Sequence, residues 1–171
     1  MGGPKLLYLL RHAKSDWDDQ ALADRDRPLA PRGRKAASAL AGHIERSGIS
    51  PALVLCSPAR RTMDTLRLIS GSFRDPVEIL VEEELYGADM GELLRRLRRV
   101  DEATPSVMLI GHNPAIHELA VALARSVDDL EQLKRKFPTG AMATLAVPGA
   151  WKDLGADPAD LLEFALPREL N

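Results

Sequence analysis

The residues best able to do chemistry stand at the ends of short apolar runs. Four groups of them follow the runs at 6–10, 52–56, 77–81 and 106–110: Arg11-His12, Ser57 with Arg60 and Arg61, Glu82-Glu83-Glu84, and Gly111-His112-Asn113. In an open parallel sheet, ligands bind beyond the carboxyl ends of the strands. If these runs are strands of one such sheet, the four groups meet at one edge.

Together these residue types form a coherent set for phosphate chemistry. Arginine presents a planar fork of donors to phosphate oxygens. A neutral imidazole can attack phosphorus and hold the phosphoryl group covalently, and a second imidazole can donate to the phosphate oxygens. A carboxyl group can protonate an ester leaving oxygen. The sequence shows no cluster of oxygen ligands for a divalent ion, so we expect neither a metal nor a cofactor.

The elements that must position these groups alternate between strand and helix. Besides the four runs, strands are predicted at 141–147 and 161–166, and residues 125–140 stay ambiguous. Periodicity and end signals predict helices at 31–47, at 92–100 and at about 115–124. A further helix is predicted to run to about Ser70, with Ser57 as its N-cap and Pro58 in its first turn. This alternation predicts an α/β fold, a three-layer α/β/α sandwich around a mostly parallel sheet. Residues 13–30 form a loop long enough to suggest function.

Length and charge narrow the class of protein. The 171 residues fit one domain, 1–171. A net charge of −2 disfavours a nucleic-acid binder, and no apolar run approaches the roughly 20 residues of a membrane helix. With no signal-peptide pattern, we expect a cytoplasmic protein with no membrane partner.

The single cysteine, Cys56, gives no disulfide or zinc cluster. A cysteine-dependent phosphatase would need arginine six positions later, where Thr62 stands. We therefore interpret Cys56 as a buried thiol at a strand end. His43 and His117 lie on predicted helices, and we interpret both as structural.

Four motifs resemble those of the histidine phosphatase superfamily, the phosphoglycerate-mutase-like group. Residues 11–18 resemble its R-H-G-E-S-x-W-N motif, and residues 57–65 resemble its serine with arginine four and threonine eight residues later. Residues 83–87 resemble its E-x-x-Y-G motif, and residues 110–112 its second-histidine motif. Phe137–Ala141, together with Arg27-Pro28-Leu29 and Gly33, is similar to the short SixA-like branch of phosphohistidine phosphatases.

The resemblance implies a role for each matched residue. His12 would be the nucleophile that becomes phosphohistidine. Arg11, Arg61 and His112 would form the phosphate pocket with it, and Ser15 would add a contact. The motif register selects Arg61 over Arg60. Glu83 would be the general acid, with Glu84 as the alternative if the register slips by one.

Three residues depart from the family motif. Ala13 replaces glycine, which affects how closely the backbone can approach phosphate. Asp18 replaces asparagine and would repel an anionic substrate if it points inward. Lys14 replaces glutamate and could offset that charge.

These observations leave three candidate functions. The first is a metal-independent phosphatase that removes phosphate from phosphohistidine on a protein partner, because little chain remains to build a lid over the site. The second is a small-molecule phosphomonoesterase, which would need a working acid at Glu83 or Glu84. The third is a phosphate- or phosphoprotein-binding module without turnover. The replacement of the family glycine by Ala13 is the reason to retain this third candidate.

Overall fold

The computed structural model describes residues 3–125 and 129–170, and its strands match the apolar runs closely. The seven strands of this described part are β1 (Lys5–Arg11), β2 (Leu53–Cys56), β3 (Glu78–Val81), β4 (Ser106–Gly111), β5 (Ala124–Arg125), β6 (Met142–Val147) and β7 (Ala159–Ala165). They form one sheet in the order β3-β2-β4-β1-β6-β7-β5. β3, β2, β4 and β1 are mutually parallel, whereas β6 runs antiparallel to both of its neighbours. The predicted mostly parallel sheet is confirmed.

Five α-helices within the same residues cover the two faces of the sheet: α1 (Pro31–Ser47), α2 (Arg60–Ser70), α3 (Met90–Arg98), α4 (Ala115–Leu123) and α5 (Leu130–Arg135). Alternate residues of β1 point to opposite faces. Leu10 packs with Leu40 of α1 and Ile69 of α2, while Leu9 packs on the other face with helices that include α3 and α4. Because both faces of the central strands β1, β2 and β4 are buried, these strands have continuous apolar sequences. The three-layer prediction is confirmed.

Two local predictions needed correction. Ser57 does not cap α2, which begins at Arg60 after Ala59; the Ser57 hydroxyl instead lies 2.8 Å from a ring nitrogen of His112. The third helix begins earlier than predicted, because Asp89 and Glu92 form a capping box that fixes its start at Met90. The ambiguous stretch 125–140 contains α5, and residues 126–128 lie outside the described residues.

The start of α1 lies close against the loop that follows β1. A side chain at Gly33 would place its Cβ 2.1 Å from the carbonyl oxygen of Lys14, so only glycine permits this approach. The same carbonyl accepts a hydrogen bond from the backbone N–H of Ala30 at 2.9 Å. Gly33 therefore lets the start of α1 pack directly against Lys14, two residues after His12. In the described part of the chain, no helix is long and apolar enough to span a membrane.

Candidate active site

His12 stands at the carboxyl end of the central strand β1 and is only 7% exposed. Its backbone N–H donates to the carbonyl of Gly111 on β4, and its own carbonyl accepts from the N–H of Gly140. The register of the parallel pair sets Arg11 opposite Gly111, so His12 and His112 follow at neighbouring strand ends. Their ring centroids are 5.3 Å apart.

The hydrogen bond of the His12 ring determines which nitrogen can act as a nucleophile. Nδ1 lies 2.7 Å from the carbonyl oxygen of Ala13, and a carbonyl can only accept, so Nδ1 carries the proton. Burial lowers the pKa of His12 to about 3, against the effect of the Ala13 carbonyl, and the nearby His112, Arg61 and Arg11 lower it further. At neutral pH the ring is therefore uncharged, with a free lone pair on Nε2.

His112 is the second imidazole of the site. Its Nε2 lies 2.8 Å from Ser57 Oγ, and its Nδ1 is buried with no partner among residues 3–125 and 129–170. Burial, aided by Arg61, lowers the pKa of His112 to about 4, although Asp24 opposes the shift. His112 is thus neutral at neutral pH, and its ring lies beside His12 with one hydrogen-bonding nitrogen unpaired in the described residues.

Arg11 is held against the segment that precedes β6. Its Nη1 donates to the carbonyl of Phe137 at 3.0 Å, and the Asn113 amide donates to the same oxygen at 2.9 Å. Burial and the charge of Arg61 lower the pKa of Arg11. Arg11 Nε and Asn113 Oδ1 are buried without a partner in the described chain. Buried polar atoms are normally paired, so these orphan atoms are consistent with a site that takes a polar ligand.

Arg61 lies in the first turn of α2 and is largely buried. Its guanidinium donates from Nη1 to the backbone carbonyl of Asp24 at 2.8 Å and from Nη2 to the Asp24 carboxylate at 3.1 Å. Arg60 points elsewhere: its Nε lies 3.6 Å from Asp64, and its side chain is 59% exposed. The structure therefore brings Arg61, and not Arg60, to the site.

Asp24 was missed by the sequence analysis. Its carboxylate accepts from Arg61 and also from the hydroxyl of Tyr86 at 2.7 Å. The Tyr86 bond and Arg61 together lower the pKa of Asp24 despite partial burial. The Tyr86 ring stands edge-on to His112 at 5.7 Å. The only sequence signal was that Asp24 lies in the long loop at 13–30.

The structure does not place the predicted acids with the histidines. Glu83 forms an ion pair with Arg25, and its side chain is 73% exposed. Glu84 pairs with Arg99 at 3.0 Å. Neither glutamate lines the pocket that holds His12. Nearby arginines attract both carboxylates to the surface, and the position beside Arg61 is taken by Asp24.

The three departures from the family motif are accommodated. Ala13 is fully buried, and its backbone N–H donates to the Thr65 hydroxyl at 3.0 Å. Asp18 is exposed and does not line the pocket. Lys14 and the buried Ser15 both line it. The charge of Asp18 therefore lies outside the pocket, whereas that of Lys14 is on its wall.

A cavity of about 270 Å³ opens in front of His12. The residues that line it are Arg11, His12, Lys14, Ser15, Trp17, Arg61, His112, Asn113 and Thr139. Trp17 is 58% exposed, with the Arg27 guanidinium 4.0 Å from its ring centroid. In the part of the chain that the structure describes, no three His, Cys, Asp or Glu side chains are grouped to hold a metal ion.

The other titratable side chains singled out from the sequence lie away from this chemistry. Burial raises the pKa of the Cys56 thiol to about 12, so Cys56 is protonated and unsuited to act as a nucleophile. His117 bonds through Nε2 to the carbonyl of Leu133 at 2.7 Å, and His43 lies 2.8 Å from Glu163. These contacts fit the structural roles predicted for both histidines.

The pocket at this edge of the sheet holds two neutral histidines and two arginines. Such a set of side chains suits a tetrahedral phosphate and is typical of phosphatases with a histidine nucleophile. Residues 7–143 match the family model of the histidine phosphatase superfamily (branch 1). The chain belongs to that superfamily and to its SixA-like branch.

Relatives and solved structures agree with this assignment. An uncharacterised protein of Mycobacterium tuberculosis is 37% identical over 163 residues, which cover 93% of this chain and all of that protein. A proposed SixA phosphohistidine phosphatase from Nakamurella multipartitia is 31% identical, with a TM-score of 0.84 over 97% of this chain and 98% of that one. Another, from Agrobacterium tumefaciens, is 29% identical, with a TM-score of 0.81 over 97% of this chain and 100% of that one.

Proposed function

We propose that this phosphatase removes phosphate from phosphohistidine on a cytoplasmic protein, without a metal ion, and that His12 is its nucleophile. Membership of the SixA-like branch supports the substrate, since two similar structures are proposed phosphohistidine phosphatases. The uncharged ring of His12, with its lone pair on Nε2, supports the nucleophile.

In the first step, the Nε2 lone pair of His12 attacks phosphorus and the P–N bond to the substrate imidazole breaks. The other nitrogen of the substrate ring is protonated from solvent before the bond breaks, so the ring keeps the electron pair of that bond and departs as neutral imidazole. Arg11, Arg61 and His112 donate to the phosphoryl oxygens, because charge stabilisation and in-line positioning are the main catalytic tasks in phosphoryl transfer. Ser15 adds a contact to the same oxygens.

In the second step, a water molecule attacks the phosphoryl group on His12. The bond between Nε2 and phosphorus breaks, inorganic phosphate leaves, and neutral His12 returns. The bond from Nδ1 to the Ala13 carbonyl keeps the ring in one orientation through both steps. Both half-reactions therefore use the same lone pair.

The substrate proposal rests mainly on the hydrogen bonds and ion pairs of the nearby carboxylates. Glu83 and Glu84 are engaged by surface arginines, and Asp24 is held in its charged form by Tyr86 and Arg61. None of the three is placed as a protonated acid. An alkoxide leaving group needs such an acid, whereas the substrate imidazole can depart as a neutral ring once solvent has protonated its other nitrogen. This arrangement favours a phosphoramidate over a phosphate ester.

The mouth of the pocket also suits a phosphate carried by a protein. Trp17 and Lys14, which line the pocket, are exposed. A phosphohistidine side chain on another protein can therefore reach Nε2 of His12 from this side.

The test is phosphate release from a phosphohistidine peptide and from glycerol 2-phosphate, an alkyl phosphate ester, with and without EDTA, by wild type and His12→Ala. We expect EDTA-resistant release from the peptide that depends on His12, with much slower ester cleavage. Faster ester cleavage would instead favour a small-molecule phosphomonoesterase. Phosphate binding without release from either substrate would favour a binding module.

A further inference from the structure

A second depression adjoins the phosphate pocket and shares Lys14 and Thr139 with it. It encloses about 440 Å³ between α1, the segment before β6, and the turn at Pro167–Glu169. Gly140, with a φ of +77°, allows this close packing, since a Cβ there would lie 3.0 Å from Pro167. We call this depression the basic groove.

Among residues 3–125 and 129–170, the basic groove is lined by no carboxylate and by five cationic side chains: Lys14, Arg32, Lys35, Lys136 and Arg168. All five are exposed, and none lies within 4.0 Å of an acidic side chain in the described chain. Elsewhere, some exposed arginines, such as Arg67, Arg99 and Arg125, are paired with carboxylates, whereas others, such as Arg95, have none within 4.0 Å in the described residues. The whole chain carries a net charge of −2, so this concentration of positive charge is local.

The rest of the groove lining is aliphatic. Ala36 and Ala39 come from the same stripe of α1 as Arg32 and Lys35, because residues three and four apart share a helix face. Leu166, Pro167 and Leu170 add further apolar surface. The lining contains no aromatic side chain, whereas single-stranded nucleic acids are usually held by stacking on aromatic rings. An aliphatic floor with a cationic rim fits a peptide with acidic side chains.

We propose that the basic groove binds an acidic segment of the substrate protein, next to the phosphohistidine in the pocket. The proposal rests on the proposed function and names a feature of its substrate. The shared residues Lys14 and Thr139 make the groove continuous with the pocket, so one chain can occupy both. The groove then selects substrates by the sequence that surrounds their phosphohistidine.

The test compares two phosphohistidine peptides that differ only in their flanks, one with glutamates and the other with glutamines. The small molecule phosphoramidate has no flanking chain to occupy the groove, so its hydrolysis reports on the pocket alone. For wild type, we expect kcat/KM to be about tenfold higher for the glutamate peptide, through KM, since each exposed charge pair contributes only a few-fold. The preference should disappear in high salt, because salt screens exposed charges.

The variant Lys35→Glu/Arg168→Glu should lose this preference and keep its activity on phosphoramidate and on the glutamine peptide. Arg95→Glu is a matched control, because Arg95 is exposed on α3, on the other face of the sheet, with no carboxylate within 4.0 Å in the described residues. We expect this control to keep the wild-type preference. Circular dichroism verifies that each variant is folded.

Equal kcat/KM for the two peptides in wild type would overturn the groove proposal, and so would an equal loss of the glutamate preference in Arg95→Glu. In either case, activity on phosphoramidate would still support the proposed function. If no phosphoramidate or phosphopeptide is hydrolysed, the proposed function fails, and binding of the unphosphorylated glutamate peptide still tests the groove by fluorescence anisotropy. A single-stranded oligonucleotide that binds more tightly than this peptide would also overturn the proposal.

Discussion

The two sides of the pocket that we propose for phosphate are built in different ways. On the strand-end side, Arg11, His12 and His112 follow adjacent parallel strands, and sheet hydrogen bonds fix their backbone. On the loop side, Asp24 and Tyr86 come from short turns and meet through side-chain hydrogen bonds. The sheet thus fixes the backbone of Arg11, His12 and His112, whereas the loops supply the groups that hold Arg61.

The electrostatics of the two sides differ in the same way. Burial keeps both histidines of the strand-end side neutral, with pKa values of about 3 and about 4. On the loop side, the Tyr86 hydroxyl and Arg61 lower the pKa of Asp24, and Arg25 lowers that of the exposed Glu83. The strand-end side therefore offers lone pairs, and the loop side offers fixed negative charge.

The largest effect is expected from His12→Ala. Loss of the nucleophile should reduce kcat on a phosphohistidine peptide by at least about 10⁴-fold. Binding of inorganic phosphate, measured by calorimetry, should persist because Arg11, Arg61 and His112 remain. Residual turnover near the wild-type rate would show that the strand-end side does not supply the nucleophile.

Arg61→Ala should reduce kcat/KM by about 10²–10³-fold, the usual loss when one preorganised donor is removed from a site of this kind. Arg60→Ala is the matched control. It removes the same side chain from an exposed position beside Asp64, and it should change kcat/KM by less than about threefold. Equal losses in the two variants would contradict the assignment of Arg61 to the pocket.

Acid should destabilise the fold through the neutral histidines. The unfolded chain binds a proton on His12 near pH 6.5 and the folded chain only near pH 3, so this stability is present above pH 6.5 and is lost as pH falls. Between pH 7.5 and 5 the loss for His12 is about 2 kcal/mol, or about thirtyfold in the folding equilibrium. Urea unfolding at several pH values should show a weaker dependence on pH in His12→Asn. An unchanged slope would contradict the buried neutral state.

Asp24→Asn should reduce kcat/KM by about tenfold, the cost of losing one hydrogen bond to a charged group. The backbone carbonyl of Asp24 still holds Arg61 in this variant, so the loss should appear mainly in KM. Tyr86→Phe removes the other partner of the carboxylate and should have a smaller effect in the same direction. Selective loss of ester cleavage in Asp24→Asn would identify Asp24 as a proton donor.

Glu83→Gln is expected to have the smallest effect, because an exposed ion pair contributes little. Activity on both the peptide and glycerol 2-phosphate should change by less than about threefold. Arg25→Gln, which removes the other partner, serves as the control. A fall of about 100-fold in ester cleavage, confined to Glu83→Gln, would restore Glu83 as the general acid.

The strand-end side was predictable from the sequence for a physical reason. Parallel strands buried on both faces have continuous apolar sequences, and whatever follows them must emerge at one edge. This rule placed Arg11, His12 and His112 together, and the motif register separated Arg61 from Arg60. The α/β alternation predicted a mostly parallel sheet, but it predicted neither the order of the strands nor the antiparallel direction of β6, which has no local signal.

The loop side could not be predicted because its contacts connect residues far apart in the chain. Asp24, Arg61 and Tyr86 meet through side chains whose spacing follows no period. Ser57 fits the pattern of a helix cap, yet its hydroxyl bonds to His112 in the folded chain. The outward turn of Glu83 likewise depends on Arg25, which lies 58 residues away.

The most direct test of the account is to locate the phosphoryl group during turnover. Wild type and phosphohistidine peptide would be mixed, quenched in alkali within one turnover, and examined by mass spectrometry and ³¹P NMR. We expect a transient phosphoryl group on Nε2 of His12 in wild type and none in His12→Ala. A phosphoryl group on Nδ1 of His12 or on His112, or steady turnover without any phosphorylated enzyme, would contradict it.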